Sequence, residues 1–510
     1  MQAGCVGGAT KACWWSELQE AANPQRAKGW GRCGRAVGRV GVGRLRRILR
    51  RELYKERRRR LRGFYTEISM SYATAIDHLN AMTPELYAKA GLARRKFSLE
   101  EVRTLLAALG DPQREFASVL IAGTNGKGST AATLASILTE AGLSTGLYTS
   151  PHLERPNERV RVNRTEIGDS DFARLFFKVL EAADGLVSGG RLPQPPSYFE
   201  VLTALAFLYF AERQVEMAVL EVGMGGRLDA TNVVEPVLSI VTDIALDHVE
   251  WLGPTIGAIA REKAGILRRG GTMITLPQHP EANQILGEVA MELGVRGVSA
   301  VEYMPAVETT GAYTVQALGE AVRVDSPLGG AHQHRNVALG VAAAVELREQ
   351  HGFAIRAAAI EAGIRKTSWP GRLERMVCDG VEWVLDVAHN PAGAWALRAG
   401  LRSILEGQRS KVLVFSCLRD KPAREMAQIL FPLFERVMVT PIHSARATAT
   451  EDLLEAARGT GTDAIATGSV SAALRAAGDE AKGGVVVISG SVYLVGEARA
   501  ILRRGMGKAE

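Results

Sequence analysis

The chain has 510 residues, of which 46% are hydrophobic and 23% are charged. This length is enough for about two to four domains with cores of their own, and the absence of an apolar run near the roughly 20 residues of a membrane helix excludes a membrane-spanning protein. The formal net charge of +7 is unevenly distributed: residues 1–69 hold 17 Lys and Arg against 5 Asp and Glu, and the rest hold 45 against 50. The basic character therefore belongs to the first 69 residues.

The basic segment 1–69 contains an Arg-rich run over residues 44–62, preceded by a Gly- and Arg-rich stretch. Such a composition opposes a packed core. Three interpretations remain open: a mitochondrial targeting segment, although Ser16 and Ser69 are its only serines, an arm that contacts nucleic-acid phosphates, and an extension that is disordered or foreign to the native protein. We favour the extension, with translation starting at Met70, and do not expect nucleic acid as a partner.

The cysteines give little further information. Three of the five, Cys5, Cys13 and Cys33, lie in the basic segment, which leaves Cys378 and Cys417 for the rest of the chain. No pair has the spacing of metal ligands, and no disulfide framework is implied. Neither possible start shows the apolar core of a signal peptide, so the sequence predicts a cytoplasmic protein.

From Met70 onward, short apolar runs rich in β-branched residues alternate with helical patterns. In the first part, the pattern predicts strands at 116–122, 217–222, 238–242 and 273–276, helices at 129–141, 198–212 and 255–266, and a long helical region at 336–365. In the second part, it predicts strands at 383–387, 412–416, 437–440 and 485–489 and helices at 392–405, 423–431 and 495–503.

This alternation is typical of parallel sheets with helices on both faces. There are too many such units for one open sheet, so we expect an α/β protein with two domains. The prediction is a P-loop ATPase domain with a mainly parallel sheet at 70–366 and a smaller Rossmann-like α/β domain at 367–510. The boundary is placed near 366–373, where Pro370 and Gly371 interrupt the periodicity.

The first chemical motif is the glycine-rich run 123–130, GTNGKGST, which follows a strand and opens a helix. Its glycines allow a tight turn that directs backbone N–H groups and a helix N-terminus toward phosphate oxygens, and Lys127 adds a positive charge. The usual P-loop pattern requires Gly where Ile121 stands and Ser or Thr where Gly128 stands. A glycine-rich turn with a solvated lysine therefore remains an alternative.

Further polar residues follow the predicted strands. Glu221 ends one strand and His248 follows the next, at the edge where α/β sheets bind ligands. Oxygen ligands there suit Mg²⁺ bridging to nucleotide phosphates. By itself, the segment 148–163 is predicted to be a polar loop, and Lys263 on a helix is compatible with a side chain that only reaches solvent.

Eight motifs then occur in an order that resembles the folylpolyglutamate synthases, which are often bifunctional as dihydrofolate synthases and belong to the Mur ligase superfamily. The resemblance covers residues 71–503 and accounts for the shortened P-loop, which is this family's variant. The motifs are GTNGKGS, YTSPH, EVGMGGRLDATNVV, LDH, EKAGI, HQHRN, WPGRLE and DVAHNP.

The resemblance implies a nucleotide site and a metal site. ATP is expected at Gly123, Thr124, Asn125, Gly126, Lys127, Gly128, Ser129, Thr130, Asn336, Arg372 and Asp386. Gln333 is a weaker nucleotide candidate. One Mg²⁺ is expected at Ser150, Glu221 and His248, and a second at Lys263, whose amine is expected to carry a carbamate derived from CO₂.

On the glutamate side, the resemblance implies His389 and Ser491, with Asp420 and Lys421 as lesser candidates. Lys127, Lys263 and His389 are the expected catalytic residues. His334 has no counterpart role, and we interpret it as a solvent-facing helix residue.

The implied activity is an ATP-dependent ligase that joins L-glutamate to the carboxylate of dihydropteroate or a reduced folate through an acyl phosphate. Closure of the two domains about 366–373 is expected to control catalysis, and the partners are expected to be these small molecules, with the protein a monomer. A monofunctional folylpolyglutamate synthase, another Mur-type amino-acid ligase and a nucleic-acid-binding NTPase are the alternatives. Substrate preference between folates and tail length stay open.

Overall fold

The structure, a computed structural model, describes residues 70–82, 98–307, 309 and 311–505. The interpretations of segment 1–69 and the proposed start at Met70 concern a region that lies outside these residues, apart from Met70 itself. Within the described ranges, no helix is long and apolar enough to cross a membrane.

The first part of the chain forms a mainly parallel sheet of eight strands, in the order β4-β3-β2-β5-β1-β6-β7-β8. Only the short strands β3 and β4 run antiparallel to their neighbours. The strands are β1 (Ala117–Ala122), β2 (Thr145–Tyr148), β3 (Val160–Val162), β4 (Thr165–Glu166), β5 (Met217–Glu221), β6 (Leu238–Val241), β7 (Thr272–Thr275) and β8 (Arg296–Ser299).

Helices cover both faces of this sheet, which gives one hydrophobic core on each side. A separate hairpin of β9 (Tyr313–Ala317) and β10 (Glu320–Val324) extends the second core. The helices are α1 (Tyr72–Ala81), α2 (Leu99–Ala108), α3 (Lys127–Glu140), α4 (Asp169–Ser188), α5 (Tyr198–Glu212), α6 (Val249–Leu252), α7 (Ile256–Ala264), α8 (Pro280–Leu293), α9 (His332–Glu349) and α10 (Ala357–Arg365).

The second part forms a six-stranded sheet in the order β11-β12-β16-β13-β14-β15, parallel except for the hairpin of β11 and β12 at its edge. Helices again lie on both faces. The elements are β11 (Glu374–Cys378), β12 (Val381–Leu385), α11 (Pro391–Leu405), β13 (Lys411–Phe415), α12 (Ala423–Leu430), β14 (Arg436–Val439), α13 (Thr450–Thr460), β15 (Ala464–Ala466), α14 (Val470–Glu480), β16 (Val485–Ser489) and α15 (Val492–Arg504).

The predicted fold class is therefore confirmed, with two local corrections. The long helical region 336–365 is wrong as one element, because helix α9 ends at Glu349 and α10 begins at Ala357. Gly352 lies between them with φ +72, a left-handed conformation that interrupts a right-handed helix. The polar loop predicted over 148–163 contains strand β3, which pairs with β2.

Parallel pairing sets the location of the chemistry. Ile121 of β1 pairs with Glu221 of β5, and Ala122 pairs with Val241 of β6. In the second sheet, Leu385 pairs with Ile488. The carboxyl ends of these neighbouring strands meet at one edge of each sheet, so the residues that follow them lie close together.

Helix α3, which carries the end of the glycine-rich run, is held by close helix packing. Its residues from Gly128 to Leu138 are all buried, and Gly363 of α10 approaches it so closely that an added Cβ would lie 2.4 Å from the Ile137 Cα. That distance is too short for any side chain, and the obstructing atom belongs to the backbone, which cannot rotate away.

We predict that Gly363→Ala lowers the free energy of unfolding by about 1–3 kcal/mol, because the added methyl group overpacks the contact between two helices. Gly287→Ala is the matched control. Gly287 also lies within a helix but has open space around its Cα, so this change should be neutral or stabilise by up to about 1 kcal/mol. Urea denaturation of both variants gives the comparison, and an unchanged stability of Gly363→Ala would contradict the packing described.

Candidate active site

A cavity of about 320 Å³ lies where the carboxyl ends of the two sheets meet. Its wall includes all of the predicted site residues except Thr130, Ser491 and the two lesser candidates, Asp420 and Lys421. The lining residues among those predicted are Gly123, Thr124, Asn125, Gly126, Lys127, Gly128, Ser129, Ser150, Glu221, His248, Lys263, Gln333, Asn336, Arg372, Asp386 and His389.

The glycine-rich run forms the turn between β1 and α3. A Cβ at Gly123 would lie 1.8 Å from the Thr242 Oγ1, and one at Gly126 would lie 2.1 Å from the Asn336 Oδ1. Gly126 also has φ +89, so the turn requires glycine for both space and conformation. The approach of Asn336 explains how the HQHRN motif, far away in sequence, belongs to the same site.

Some backbone N–H groups of this turn donate to the protein itself, and others would donate to a bound ligand. Those of Thr124 and Asn125 donate to the Asp243 carbonyl, at 2.8 and 3.1 Å. A bound phosphate would therefore meet the turn further on, at the start of α3, where the helix dipole is positive. There the Ser129 Oγ and Thr130 Oγ1 are buried without a hydrogen-bond partner among the described residues, as expected of groups that await a ligand.

Glu221 is a buried carboxylate at the end of β5. Its Oε2 accepts a hydrogen bond from the Ser150 backbone N–H at 3.1 Å, which joins the ends of β2 and β5. Burial raises the pKa of Glu221, and the nearby positive charge of Lys127 opposes that rise. A carboxylate in this position gains stability from a bound cation.

His248 has the left-handed φ of +51, uncommon for a residue with a side chain. Burial lowers its pKa to about 4 despite the adjacent Asp247, so the imidazole is neutral at pH 7, the form that ligates metals. Within the described residues, no cluster of three or more His, Cys, Asp and Glu spaced for a metal ion occurs. A set of hydroxyl, carboxylate and imidazole fits Mg²⁺, which keeps several waters and shares substrate phosphates.

Lys263 projects from α7 into the same cavity and is 4% exposed. Its Nζ donates to the Gly123 carbonyl at 2.7 Å. Burial, together with the charge of Lys127, lowers the pKa of the Lys263 amine to about 7. The side chain therefore does not extend to solvent, and a large fraction of the amine is neutral near pH 7.

The segment between the two sheets contributes Arg372. Burial lowers the pKa of this guanidinium, while Asp386 and Glu221 oppose the change. Asp386 itself holds the connection: its carboxylate accepts from the Leu373 N–H and the Ala388 N–H, both at 2.9 Å. These bonds fix the backbone beside Arg372, while a direct contact of Asp386 with nucleotide stays a prediction.

Asp247 is the residue to which sequence reasoning gave no role. Its carboxylate is 2.5 Å from the Lys421 Nζ and 3.6 Å from the His389 Nε2, and the Asn390 side chain donates to it at 3.3 Å. Burial opposes ionisation of Asp247, but the close approach of His389 and the charge of Lys421 outweigh it and hold the pKa of Asp247 well below the usual range.

This contact joins the two sheets, because Asp247 follows β6 while the other three residues follow strands of the second sheet. Asn390 adds a further link by pairing its amide with that of Asn125 at 3.0 Å. The LDH motif indicated His248 and gave no sign that the preceding aspartate faces Lys421, which lies 174 residues away in sequence.

The remaining predicted residues lie near the cavity or support it. Ser491 is buried and caps α15 by accepting from the Tyr493 N–H at 3.2 Å, so it stays a prediction as a glutamate contact. Asp420 pairs with Arg446 at 2.6 Å. The interpretation of His334 as solvent-facing is wrong: it is half-buried, with its ring against Tyr313 at 5.3 Å between centroids.

Arg335, next to His334, also has a structural partner. Its Nε lies 3.0 and 2.9 Å from the two carboxylate oxygens of Asp243, whose carbonyl holds the glycine-rich turn. The Asn336 amide in turn donates to Gln333 at 2.8 Å. The start of α9 therefore positions the turn from behind.

Comparison with known proteins identifies the family. The Mur ligase middle domain matches residues 121–344, and the Mur ligase glutamate ligase domain matches residues 371–492. The dihydrofolate synthase/folylpolyglutamate synthase of Bacillus subtilis is 37% identical over 373 residues, covering 71% of this chain and 85% of that protein. The folylpolyglutamate synthase of Lacticaseibacillus casei is 33% identical over 451 residues, covering 86% and 100%.

A solved structure agrees with both. The folylpolyglutamate synthase of Mycobacterium tuberculosis complexed with ADP superposes with a TM-score of 0.76 at 31% identity, covering 86% of this chain and 99% of that one. The described fold and the arrangement of the eight motifs around one cavity are those of an ATP-dependent ligase. The chain belongs to the folylpolyglutamate synthase/dihydrofolate synthase family of the Mur ligases.

Proposed function

We propose that the protein joins L-glutamate to two kinds of acceptor carboxylate, that of dihydropteroate and that of reduced folates, and uses ATP to activate them. The observation that carries the proposal is the single cavity in which a phosphate-binding turn from one sheet faces His389 from the other. The relative from Bacillus subtilis bears both activities in its name. The relative from Lacticaseibacillus casei is named for folylpolyglutamate synthesis alone, so a monofunctional enzyme is the second candidate.

The nucleotide would lie against the start of α3. Backbone N–H groups there, together with the unpartnered hydroxyls of Ser129 and Thr130, offer hydrogen bonds to phosphate oxygens. Lys127 and Arg372 supply positive charge at the cavity wall, where electrostatic interactions are stronger than in bulk water. Asn336, which packs against Gly126 of the turn, would lie near the nucleotide.

Ser150, Glu221 and His248 would hold Mg²⁺, and Lys263 would hold a second ion after carbamylation. When bound, Mg²⁺ would neutralise charge on the nucleotide phosphates. For carbamylation, the neutral Lys263 amine adds to the carbon of CO₂, an N–C bond forms and one proton passes to solvent. The nitrogen keeps one N–H, which is sufficient to retain the hydrogen bond to the Gly123 carbonyl.

Two steps follow from these positions. The acceptor carboxylate attacks the γ-phosphorus, the bond to the β-phosphate oxygen breaks, and an acyl phosphate and ADP result. Lys127 and Arg372 stabilise the charge that develops on the transferred group. The glutamate amine then attacks the acyl carbon, loses a proton, and inorganic phosphate leaves. His389 lies at the cavity wall, where it would orient that amine or accept its proton.

The cytoplasmic location, the monomeric state and the division into domains at residue 366 stay predictions. The roles of the individual site residues are likewise part of this proposal.

We predict ADP release that requires glutamate and occurs with either dihydropteroate or tetrahydrofolate. A coupled spectrophotometric assay at saturating ATP measures it, and Lys127→Ala should lower the rate by about 100-fold or more by removing a charge on the transferred phosphate. Release with tetrahydrofolate alone would favour the monofunctional candidate. No release with either acceptor would contradict the proposal.

We predict that Lys263→Ala lowers activity by about 100-fold, because the second metal site loses its ligand. With ¹³C-bicarbonate, the unmodified protein should show a carbamate resonance that Lys263→Ala lacks. The resonance should grow as the pH rises through about 7, since the pKa of Lys263 lies there and only the neutral amine reacts. Lys482→Ala, at an exposed lysine, is the control and should change neither reading; full activity of Lys263→Ala would exclude the carbamate role.

We predict that the pair formed by Asp247 and Lys421 is strongly coupled in catalysis. Asp247→Asn and Lys421→Met should each lower kcat/KM for glutamate by about 100-fold, because each leaves a buried charge unpaired. The double variant should be no worse than either single one. The exposed pair of Arg424 and Glu455, at 2.7 Å, provides the control cycle, with effects below about 3-fold. Additive losses at Asp247 and Lys421 would contradict the coupling.

A further inference from the structure

A side cavity of about 50 Å³ opens beside the proposed metal ligands. It shares Ser150, Glu221 and Arg372 with the main cavity, and its far wall includes Arg161 and Trp369. The volume is sufficient for a few water molecules or one carboxylate group. A cation therefore faces the space immediately behind the point where the acceptor carboxylate would react.

Arg161 lies on β3 and is poorly satisfied by the protein. Its side chain is 15% exposed, and its Nε is buried without a hydrogen-bond partner among the described residues. Its nearest carboxylate oxygen, on Glu166, is 3.4 Å away, longer than an ordinary hydrogen bond. Burial lowers the pKa of Arg161, but an arginine remains charged. Buried donors of this kind are rarely left unpaired unless a ligand completes them.

The Trp369 indole fixes the guanidinium. The Arg161 Cζ lies 5.5 Å from the centre of the ring, within the range of a cation–π contact. The acidic residue that is close in sequence, Glu158, also lines the side cavity, but its carboxylate already accepts from the backbone N–H groups of Leu153, Glu154 and Arg155. The ring contact thus holds Arg161 in place, while its Nε–H remains without a hydrogen-bond acceptor among the described residues.

More positive charge lies beyond Arg161. A second small cavity, of about 120 Å³, is lined by Arg161, Arg164 and Lys366. Arg164 and Lys366 share one carboxylate, that of Glu140, at 2.7 and 2.8 Å. Two cations on one anion leave an excess of positive charge next to Arg161, which favours an anionic ligand there.

We propose that Arg161 binds the α-carboxylate of the glutamyl residue that ends a folate acceptor. This inference rests on the proposed function. In such an acceptor, the reacting γ-carboxylate and the α-carboxylate belong to the same residue and are separated by three carbons. When the first lies at Glu221 and Ser150, the second has to lie close by, and the side cavity offers a planar pair of donors that suits a carboxylate.

Dihydropteroate differs in this respect, because it has a single carboxylate, which is the reacting one. Arg161 therefore has no partner on that acceptor. The proposal makes Arg161 a residue that distinguishes the addition of glutamate to a folate from its addition to dihydropteroate.

The test is the kinetics of Arg161→Gln with both acceptors. We expect kcat/KM for tetrahydrofolate to fall about 100-fold, with dihydropteroate changed by less than about 3-fold, and Arg161→Lys to give an intermediate loss. Arg323→Gln, at an arginine 64% exposed on β10, is the matched control and should change neither. Equal losses with both acceptors, or no loss with tetrahydrofolate, would overturn the proposal.

A tetrahydrofolate analogue with an α-carboxamide gives a second reading that does not depend on dihydropteroate. The unmodified protein should use the analogue about 100-fold less well than tetrahydrofolate, and Arg161→Gln should use the two within about 3-fold of each other. Equal discrimination by both proteins would overturn the proposal. Failure of the proposed function is a distinct result, since the unmodified protein would then use neither acceptor.

Discussion

The buried carboxylate of Asp247 joins the two halves of the active site, and the geometry of the cavity depends on it. Asp247 follows a strand of the larger sheet, while Lys421, His389 and Asn390, its partners, follow strands of the smaller one. A buried ion pair contributes little net stability compared with apolar packing, but the loss of one partner is costly. Such a contact specifies one arrangement of the two sheets, the one in which the phosphate-binding turn faces His389.

The contact also occupies Lys421 and His389, the side chains expected to meet glutamate. The incoming amino acid would therefore bind in competition with, or next to, a carboxylate of the protein.

The cavity concentrates positive charge in a small number of buried side chains. Arg372 is withdrawn from water, Lys127 lies at the start of α3, and both charges act on the carboxylate of Glu221. Buried cations without full compensation are unfavourable in a free protein, and nucleotide phosphates and the acceptor carboxylate are the groups that would compensate them. Arg161 is also a buried cation without full compensation, and it lies further from the reacting atoms than the others. Each of these cations lies beyond the basic segment 1–69 in the sequence, so the net charge of the whole chain is a poor guide to the chemistry of the site.

Much of the architecture was predictable because strands such as β5, β13 and β16 are buried on both faces and therefore form continuous apolar runs. The hairpin of β9 and β10 was missed because it is short and partly exposed, and the break between α9 and α10 depends on Gly352 within an otherwise helical sequence. The motif residues lie close together because parallel strands end at one edge of the sheet. For Glu221 and His248, their spacing in the sequence alone indicates this. The contact of Asp247 with Lys421 and the unmet donor of Arg161 arise from the packing of distant segments, and no local pattern encodes them.

The central claim is that residues of one cavity use ATP to activate an acceptor carboxylate and then transfer the acyl group to the amine of glutamate. The most direct measurement follows the carboxylate oxygen. With dihydropteroate labelled with ¹⁸O in its carboxylate, unlabelled ATP and glutamate, mass spectrometry of the products should find one ¹⁸O atom in the released inorganic phosphate for each amide formed, because that oxygen bridges the acyl phosphate. The same experiment with tetrahydrofolate labelled in its γ-carboxylate covers the second acceptor. Two results would contradict the account. One is amide formation with no ¹⁸O in the released inorganic phosphate, and the other is ATP hydrolysis with no amide formed.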